Sequence, residues 1–413
     1  MLVQGAFLRK WAPEERTVLV MRIRMGKKKR AVPLLLIAGM LCALVVPLAP
    51  PASAEGLDVP APAAVLMEFS TGEVLYEKNP HELRPCASIT KVMTLLLVFE
   101  AIDSGALHYD DMLTASAHAA GMGGSDIWLK EGEQMTVDDL IKACVVMSAN
   151  DAAVVLAEAV AGTEEAFVER MNARAAELGM SDTVFKNCNG LDEDGHVTSA
   201  YDVAVMSRAL MQHEKIFDYT MIWIDYVRGG ETQLVNTNKL VRAYNGITGL
   251  KTGTTSAAGS CISASAERNG MTLIGVVLGA ANTNDRFAAA TSLLDYGFAN
   301  WKIAAPEAPA LPVLPVTGGM TGEVRLEAAA PAGVLTPVSE QSALETVVEL
   351  PESVAAPVEA GQAVGTLRVL LGGETVQEIP VTAAESAEAI TFGSAFQYLL
   401  SWFFRAAAPD AAG

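Results

Sequence analysis

Pro85-Cys86-Ala87-Ser88-Ile89-Thr90-Lys91-Val92-Met93-Thr94-Leu95-Leu96-Leu97-Val98-Phe99-Glu100-Ala101-Ile102-Asp103-Ser104-Gly105 is the stretch that decides the fold. Thr90 to Ile102 is an unbroken apolar helix pattern, closed by Asp103-Ser104-Gly105. Ser88 stands where this helix begins, and Lys91 lies one turn further along the same face. A hydroxyl at a helix N-terminus gains from oriented N–H groups that favour developing negative charge. An amine buried beside Val92, Met93 and Leu95 loses its proton more readily, more so with a second cation nearby. Taken alone, Ser88 reads equally well as an N-cap and Lys91 as a surface lysine.

Two further strings change that reading. Ser148-Ala149-Asn150 follows a helix that starts at Thr136-Val137-Asp138-Asp139, with a capping hydroxyl and early acids, and runs to about Met147. Its hydroxyl could relay a proton from Lys91 to a leaving group, and Asn150 could hold Lys91 or a substrate amide. By itself this string also reads as a helix end followed by a new N-cap. Lys251-Thr252-Gly253 precedes an alternating stretch, Ser260 to Glu267, a turn at Arg268-Asn269-Gly270, and an apolar run from Met271 to Ala280. That is a hairpin, so the string lies on or just before a strand. Lys251 offers a point charge for a carboxylate, Thr252 or Thr254 a hydroxyl, and Gly253 room for substrate backbone. The N–H groups of Ser88 and Thr254 form the expected oxyanion hole.

Outward from the motifs, Ala63 to Phe69 and Glu73 to Lys78 flank a Ser70-Thr71-Gly72 turn and read as another hairpin. Asp151 to Val160 and Glu164 to Leu178 extend the helical block. The expected fold class is α/β: an antiparallel sheet built from both ends of the segment, with a helical block between, over residues 58–301. Prolines from Ala304 to Pro315 mark a linker. Short alternating stretches at Gly322–Glu327, Thr346–Leu350, Gly365–Leu371 and Val376–Val381 predict a small β domain over 302–384. In the tail, 386–405, Ile390, Phe392, Phe396, Leu399, Leu400 and Phe403 share one helical face, with Tyr398 and Trp402 at its edges. The stretch is too short to span a bilayer but suits a helix lying at a membrane surface; a tail packed on the β domain is the competing reading. Arg405 is its only cation.

The 413 residues carry a net charge of −19. Lys27-Lys28-Lys29-Arg30, the apolar run Ala31 to Leu48 and Ala52-Ser53-Ala54 read as a secretory signal peptide within a leader of residues 1–54. Met21 and Met25 are alternative starts. Cys42 follows Leu41, too large a residue for a lipidation site. The leader contributes +7, leaving −26 for the remainder. A body so acidic does not bind nucleic acid through backbone electrostatics. The remaining cysteines, Cys86, Cys144, Cys188 and Cys261, read as free buried thiols.

Other chemistries are poorly served. There is no G-x-S-x-G elbow and no histidine paired with a serine motif. There is no zinc spacing and no phosphate loop, so no metal or cofactor is expected. Asp192-Glu193-Asp194-Gly195 reads as a solvated acidic turn.

The order S-x-x-K, S-x-N, K-T-G resembles the motif set of penicillin-binding proteins and serine β-lactamases. The wider context resembles the low-molecular-weight penicillin-binding proteins, specifically serine-type D-alanyl-D-alanine carboxypeptidases of peptidase family S11. It does so at Ala87-Ser88-Ile89-Thr90-Lys91-Val92-Met93-Thr94, Ser148-Ala149-Asn150-Asp151-Ala152-Ala153, Phe185 to Leu191, His196 to Asp202 and Gly246 to Thr255. The β domain and the tail resemble that family's C-terminal domain and membrane anchor. The resemblance implies a β-lactamase/transpeptidase-like fold and removal of the terminal D-alanine from peptidoglycan stem pentapeptides. It implies that Ser88 forms the acyl-enzyme with Lys91 as base, that Ser148 protonates the departing D-alanine and that Lys251 holds its carboxylate. It further implies inhibition by penicillin and a place on the outer face of the cytoplasmic membrane. Cys188 stands where relatives commonly carry proline, and Cys86 lies two residues before the nucleophile; no thiol sensitivity is expected. The rival readings are a class A-type β-lactamase, whose E-x-x-L-N string is missing between Asn150 and Lys251, and a catalytically silent wall-binding relative.

Overall fold

The computed structural model describes residues 18–22 and 57–406. The signal-peptide reading over residues 27–54 lies outside the described residues. The chain forms two compact units, one ending at Lys302 and one made from Ile303 onward together with the strand Val18–Arg22.

In the first unit the expected antiparallel sheet forms. It joins β1 (Ala63–Glu68), β2 (Val74–Lys78), β3 (Ile247–Thr255), β4 (Gly259–Arg268) and β5 (Met271–Ala280) in the order β2-β1-β5-β4-β3. The N-terminal hairpin thus docks beside the C-terminal one, with Val276 opposite Val65. Helices cover both faces. A Cβ on Gly275 would touch Leu293 and Leu294 of α6 (Thr283–Asn300). On the other face, Ser263 of β4 shares a hydrogen bond of 2.7 Å with Ser207 of α5 (Ala200–Leu210). Small residues on β4 let α5 approach closely, and a sheet buried on both sides loses the polar/apolar alternation of a surface sheet.

The helical block comprises α1 (Lys91–Asp103), α2 (Val137–Val146), α3 (Asn150–Ala161) and α4 (Glu164–Glu177). Hydroxyl caps fix where α2, α4 and α5 start, because they satisfy otherwise orphaned N–H groups. Thr136 accepts from the Asp139 amide, Thr163 from Ala166 and Ser199 from Asp202. Ser88 is no such cap. It lies in a 3-10 turn, Ala87–Thr90, that leads into α1, and neither the turn nor α1 has a side-chain cap. Every α1 residue from Lys91 to Phe99 is buried, which accounts for its unbroken apolar pattern.

In the second unit, β6 (Leu344–Pro351), β7 (Ala363–Leu371) and β8 (Glu374–Ala383) form consecutive antiparallel pairs. Gly372-Gly373 turns β7 into β8 with both residues at positive φ, as a two-residue hairpin requires. Val348, Leu350, Leu367, Val369 and Val381 make its core. The strand Val18–Arg22 pairs with the free edge of β6. The tail helix, α7 (Phe392–Ala406), starts later than the sequence suggests, so Ile390 precedes it. Thr391 sets the start: its hydroxyl accepts from the Ser394 amide while Ser394 accepts from the Thr391 amide, a reciprocal cap.

Candidate active site

Three segments far apart in sequence converge at the start of α1. The 3-10 turn presents Ser88, and the first residue of α1 presents Lys91. The α2–α3 junction presents Ser148 and Asn150, and β3 presents Lys251 through Thr254. At the junction the chain must reverse between two helices within three residues. Ser148 absorbs that reversal with φ +65°, a conformation uncommon for any residue but glycine.

Lys91 is fully buried. Its Nζ lies 2.6 Å from Asn150 Oδ1, 2.6 Å from the Asn189 carbonyl and 3.2 Å from Ser88 Oγ. The orientation of Asn150 is fixed, since its Nδ2 donates to the Gly123 carbonyl at 2.6 Å and so turns Oδ1 toward Lys91. The two short contacts involve oxygens that can only accept. A neutral amine spends its two protons there and leaves its lone pair for the Ser88 hydroxyl. Burial pushes Lys91 down to about 8, against the opposing pull of nearby thiols, Asp126 and Asp151.

Lys251 is also buried; its Nζ donates to Ser148 Oγ at 2.8 Å and to the Thr252 carbonyl at 2.9 Å. Burial first, then the charge of Lys91, holds it well below its ordinary value. The sequence suggests that Ser148 relays a proton from Lys91; in the structure its hydroxyl accepts from Lys251. Since Ser148 accepts there, its own proton stays free for a group in the cleft.

β3 runs close over the nucleophile turn. A Cβ at Gly253 would lie 2.9 Å from Ser88 N and 2.8 Å from the Cys86 carbonyl, so this glycine is needed for the approach itself. Thr252 Oγ1 donates to Thr237 Oγ1 at 2.7 Å, and Thr254 Oγ1 accepts from Arg286 at 3.0 Å.

Several contributors escape sequence reasoning. Asn189 acts through its carbonyl, which any residue could supply. Arg286, nearly buried, also donates to the Gly253 carbonyl at 3.1 Å and sets a cation behind β3. Asp151 accepts from the Ile127 and Leu129 amides and so pins the loop that holds Asn150; its place directly after S-x-N was the available signal. Asp192, Glu193 and Asp194 are exposed, as expected of a solvated turn. No cluster of metal-binding side chains occurs among the described residues.

The four described cysteines are free and buried. Burial raises all four thiols, Cys86 to about 12 and Cys188 well above its ordinary value, which disfavours the reactive thiolate. Mild alkylation of the folded protein should leave penicillin labelling unchanged; loss of labelling on a gel would contradict this.

Residues 50–282 match the family described as D-alanyl-D-alanine carboxypeptidase, and residues 313–389 match the penicillin-binding protein 5 C-terminal domain. The chain is 40% identical over 338 residues to the D-alanyl-D-alanine carboxypeptidase DacF of Bacillus subtilis, covering 80% of this chain and 87% of the relative. It is 34% identical to DacC of Escherichia coli, over 81% and 86%. Among solved structures, penicillin-binding protein 5 from Haemophilus influenzae aligns with a TM-score of 0.66 at 29% identity, over 80% of this chain and 98% of that one. Penicillin-binding protein D2 from Listeria monocytogenes, in an ampicillin-bound form, aligns at 0.54 and 35% identity, over 59% and 99%.

Proposed function

The chain belongs to the D-alanyl-D-alanine carboxypeptidase family, peptidase family S11, and from that premise we propose how its residues divide the work. It is a serine-type carboxypeptidase of the low-molecular-weight penicillin-binding kind. Ser88 attacks the carbonyl between the two terminal D-alanines of a peptidoglycan stem peptide. Lys91, as free amine, takes the hydroxyl proton. The developing oxyanion faces the N–H groups of Ser88 and Thr254. Lys251, with Thr252 and Thr254, receives the terminal carboxylate. A carboxylate beside Lys251 favours its charged form, and that charge in turn keeps Lys91 neutral. Ser148 hands its proton to the departing D-alanine nitrogen and takes in its place the one Lys91 removed from Ser88, so Lys91 is again a free amine when water frees the acyl group from Ser88.

The single observation that carries this reading is the Lys91 contact set. Two acceptor-only oxygens at 2.6 Å leave one direction open, and Ser88 Oγ occupies it. The same set favours a carboxypeptidase over a β-lactamase. Among the described residues no carboxylate is a hydrogen-bond partner of Ser88 or Lys91, so no carboxylate base stands beside Ser88 to deacylate a penicillin adduct. The test is incubation with a peptide ending in D-Ala-D-Ala and, separately, with labelled penicillin. Release of free D-alanine and a long-lived adduct are expected; fast penicillin turnover without D-alanine release would favour the lactamase.

For the rest of the chain, the proposed division is a leader over 1–54 removed on export, a catalytic domain over 58–301, a β domain over 302–384 and an anchoring tail over 386–405. The family acts on peptidoglycan outside the cytoplasm. No described helix is long and apolar enough to cross a membrane. Phe392, Phe396, Tyr398, Leu399 and Trp402 of α7 are each more than half exposed, which supports burial in a lipid surface. Deleting residues 386–413 should move the mature protein from the membrane fraction to the soluble one while leaving D-alanine release intact. Unchanged fractionation would sink the anchor.

A further inference from the structure

Beneath the nucleophile turn runs a hydrogen-bonded chain that none of these steps uses. The Lys186 amide lies 3.2 Å from His196 Nδ1. Across the ring, Nε2 lies 2.8 Å from Thr90 Oγ1, and that hydroxyl lies 2.9 Å from the Ala87 carbonyl oxygen. Both ends fix the direction of the chain, because an amide N–H only donates and a carbonyl only accepts. Nδ1 therefore accepts, Nε2 carries the ring proton and gives it to Thr90, and Thr90 gives its own to Ala87. Thr90 and His196 are both buried, so water does not compete. Burial also holds His196 down at about 4, and the chain keeps this direction near neutral pH.

The final acceptor is one half of a peptide group whose other half is the Ser88 N–H. In a planar trans peptide the C=O and N–H point in opposite directions. Tying the Ala87 oxygen back toward Thr90 therefore holds the Ser88 N–H pointing away from that hydroxyl, at a nitrogen that lies 2.9 Å from the Cβ positions of both Gly253 and Gly190. The tie, with a longer contact of 3.7 Å from Cys86 Sγ to the same oxygen, supports Ala87 at φ +51°, a backbone conformation uncommon for alanine. Gly190 closes the remaining side: a Cβ there would collide with the Ala87 oxygen.

We propose that Thr90 and His196 are positioning residues that aim the Ser88 N–H into the oxyanion hole. Neither touches the reacting atoms; each acts through the Ala87–Ser88 peptide plane. The inference rests on the reading of Ser88 as nucleophile.

The test compares Thr90→Val, Thr90→Ser, His196→Phe and the Val/Phe double variant with the parent. Each is assayed for penicillin acylation and for hydrolysis of a matched ester and thionoester. Losing one oxyanion donor costs about 10²- to 10³-fold, so misaiming one should lower acylation by about 10- to 100-fold. The loss should be smaller on the thionoester, whose sulfur is a weak acceptor. Thr90→Ser should stay within about threefold of the parent, and the double variant should fall no further than the worse single one, as expected of one chain. Thermal melts confirm that each variant is folded; if His196→Phe is not, the Thr90 pair carries the test.

Rates for Thr90→Val within about threefold of the parent would overturn the proposal. So would equal losses on ester and thionoester, or additive losses in the double variant. A parent that neither releases D-alanine nor carries penicillin on Ser88 would instead overturn the nucleophile reading, and this proposal with it.

Discussion

Ser88→Ala should abolish both D-alanine release and penicillin labelling, lowering turnover by about 10⁴-fold or more, as expected when the nucleophile of a covalent mechanism is removed. The fold should tolerate the change. Ser88 Oγ makes no cap, and its side-chain hydrogen bond is with Lys91 at 3.2 Å. The variant should therefore melt close to the parent and still bind a D-Ala-D-Ala peptide, because Lys251 and the β3 edge are untouched. Retained release of D-alanine would place the chemistry elsewhere. Retained labelling would show that penicillin reacts with another side chain, a role that burial disfavours for the four cysteine thiols.

Acylation by the parent should rise with pH and level off above about 8, where Lys91 becomes the free amine. The sign follows from the role: a base works deprotonated, so each unit below that value should cost about tenfold. Lys91→Met, which keeps bulk but has no titrating group, should lower acylation by about 10²- to 10⁴-fold and remove this limb from what activity remains. A limb that survives unchanged in a folded Lys91→Met variant would assign the titration to another group, with Lys251 the first to test. The magnitude depends on burial. Exposed, Lys91 would stay protonated near neutral pH and could not serve; at 0% exposure its charged form has lost its water.

Local features were legible in the residues because their causes are local. The apolar pattern from Thr90 to Ile102 gave α1, a capping hydroxyl at Thr136 gave the start of α2, and glycine turns gave the hairpins. Ser88 and Lys91 fall on one helical face through three-residue spacing alone. Motif order then limited the chemistry to acyl transfer by serine, with a lysine base and a cation for a carboxylate.

What the residues could not specify is which of these groups touch. Lys91 reaches Asn150 across 59 positions and the Asn189 carbonyl across 98, and Lys251 reaches Ser148 across 103. Such contacts depend on how the sheet gathers both ends of the unit around the helical block, and no periodicity encodes them. Ser148 was therefore expected on Lys91 but sits on Lys251. The chain from Lys186 through His196 and Thr90 was invisible for the same reason, because its two ends are a backbone amide and a backbone carbonyl. Sequence alone determined the reagents and their order along the chain. Only the tertiary structure decided their partners, their protonation and the direction in which the Ser88 N–H points, because burial and long-range approach set all three.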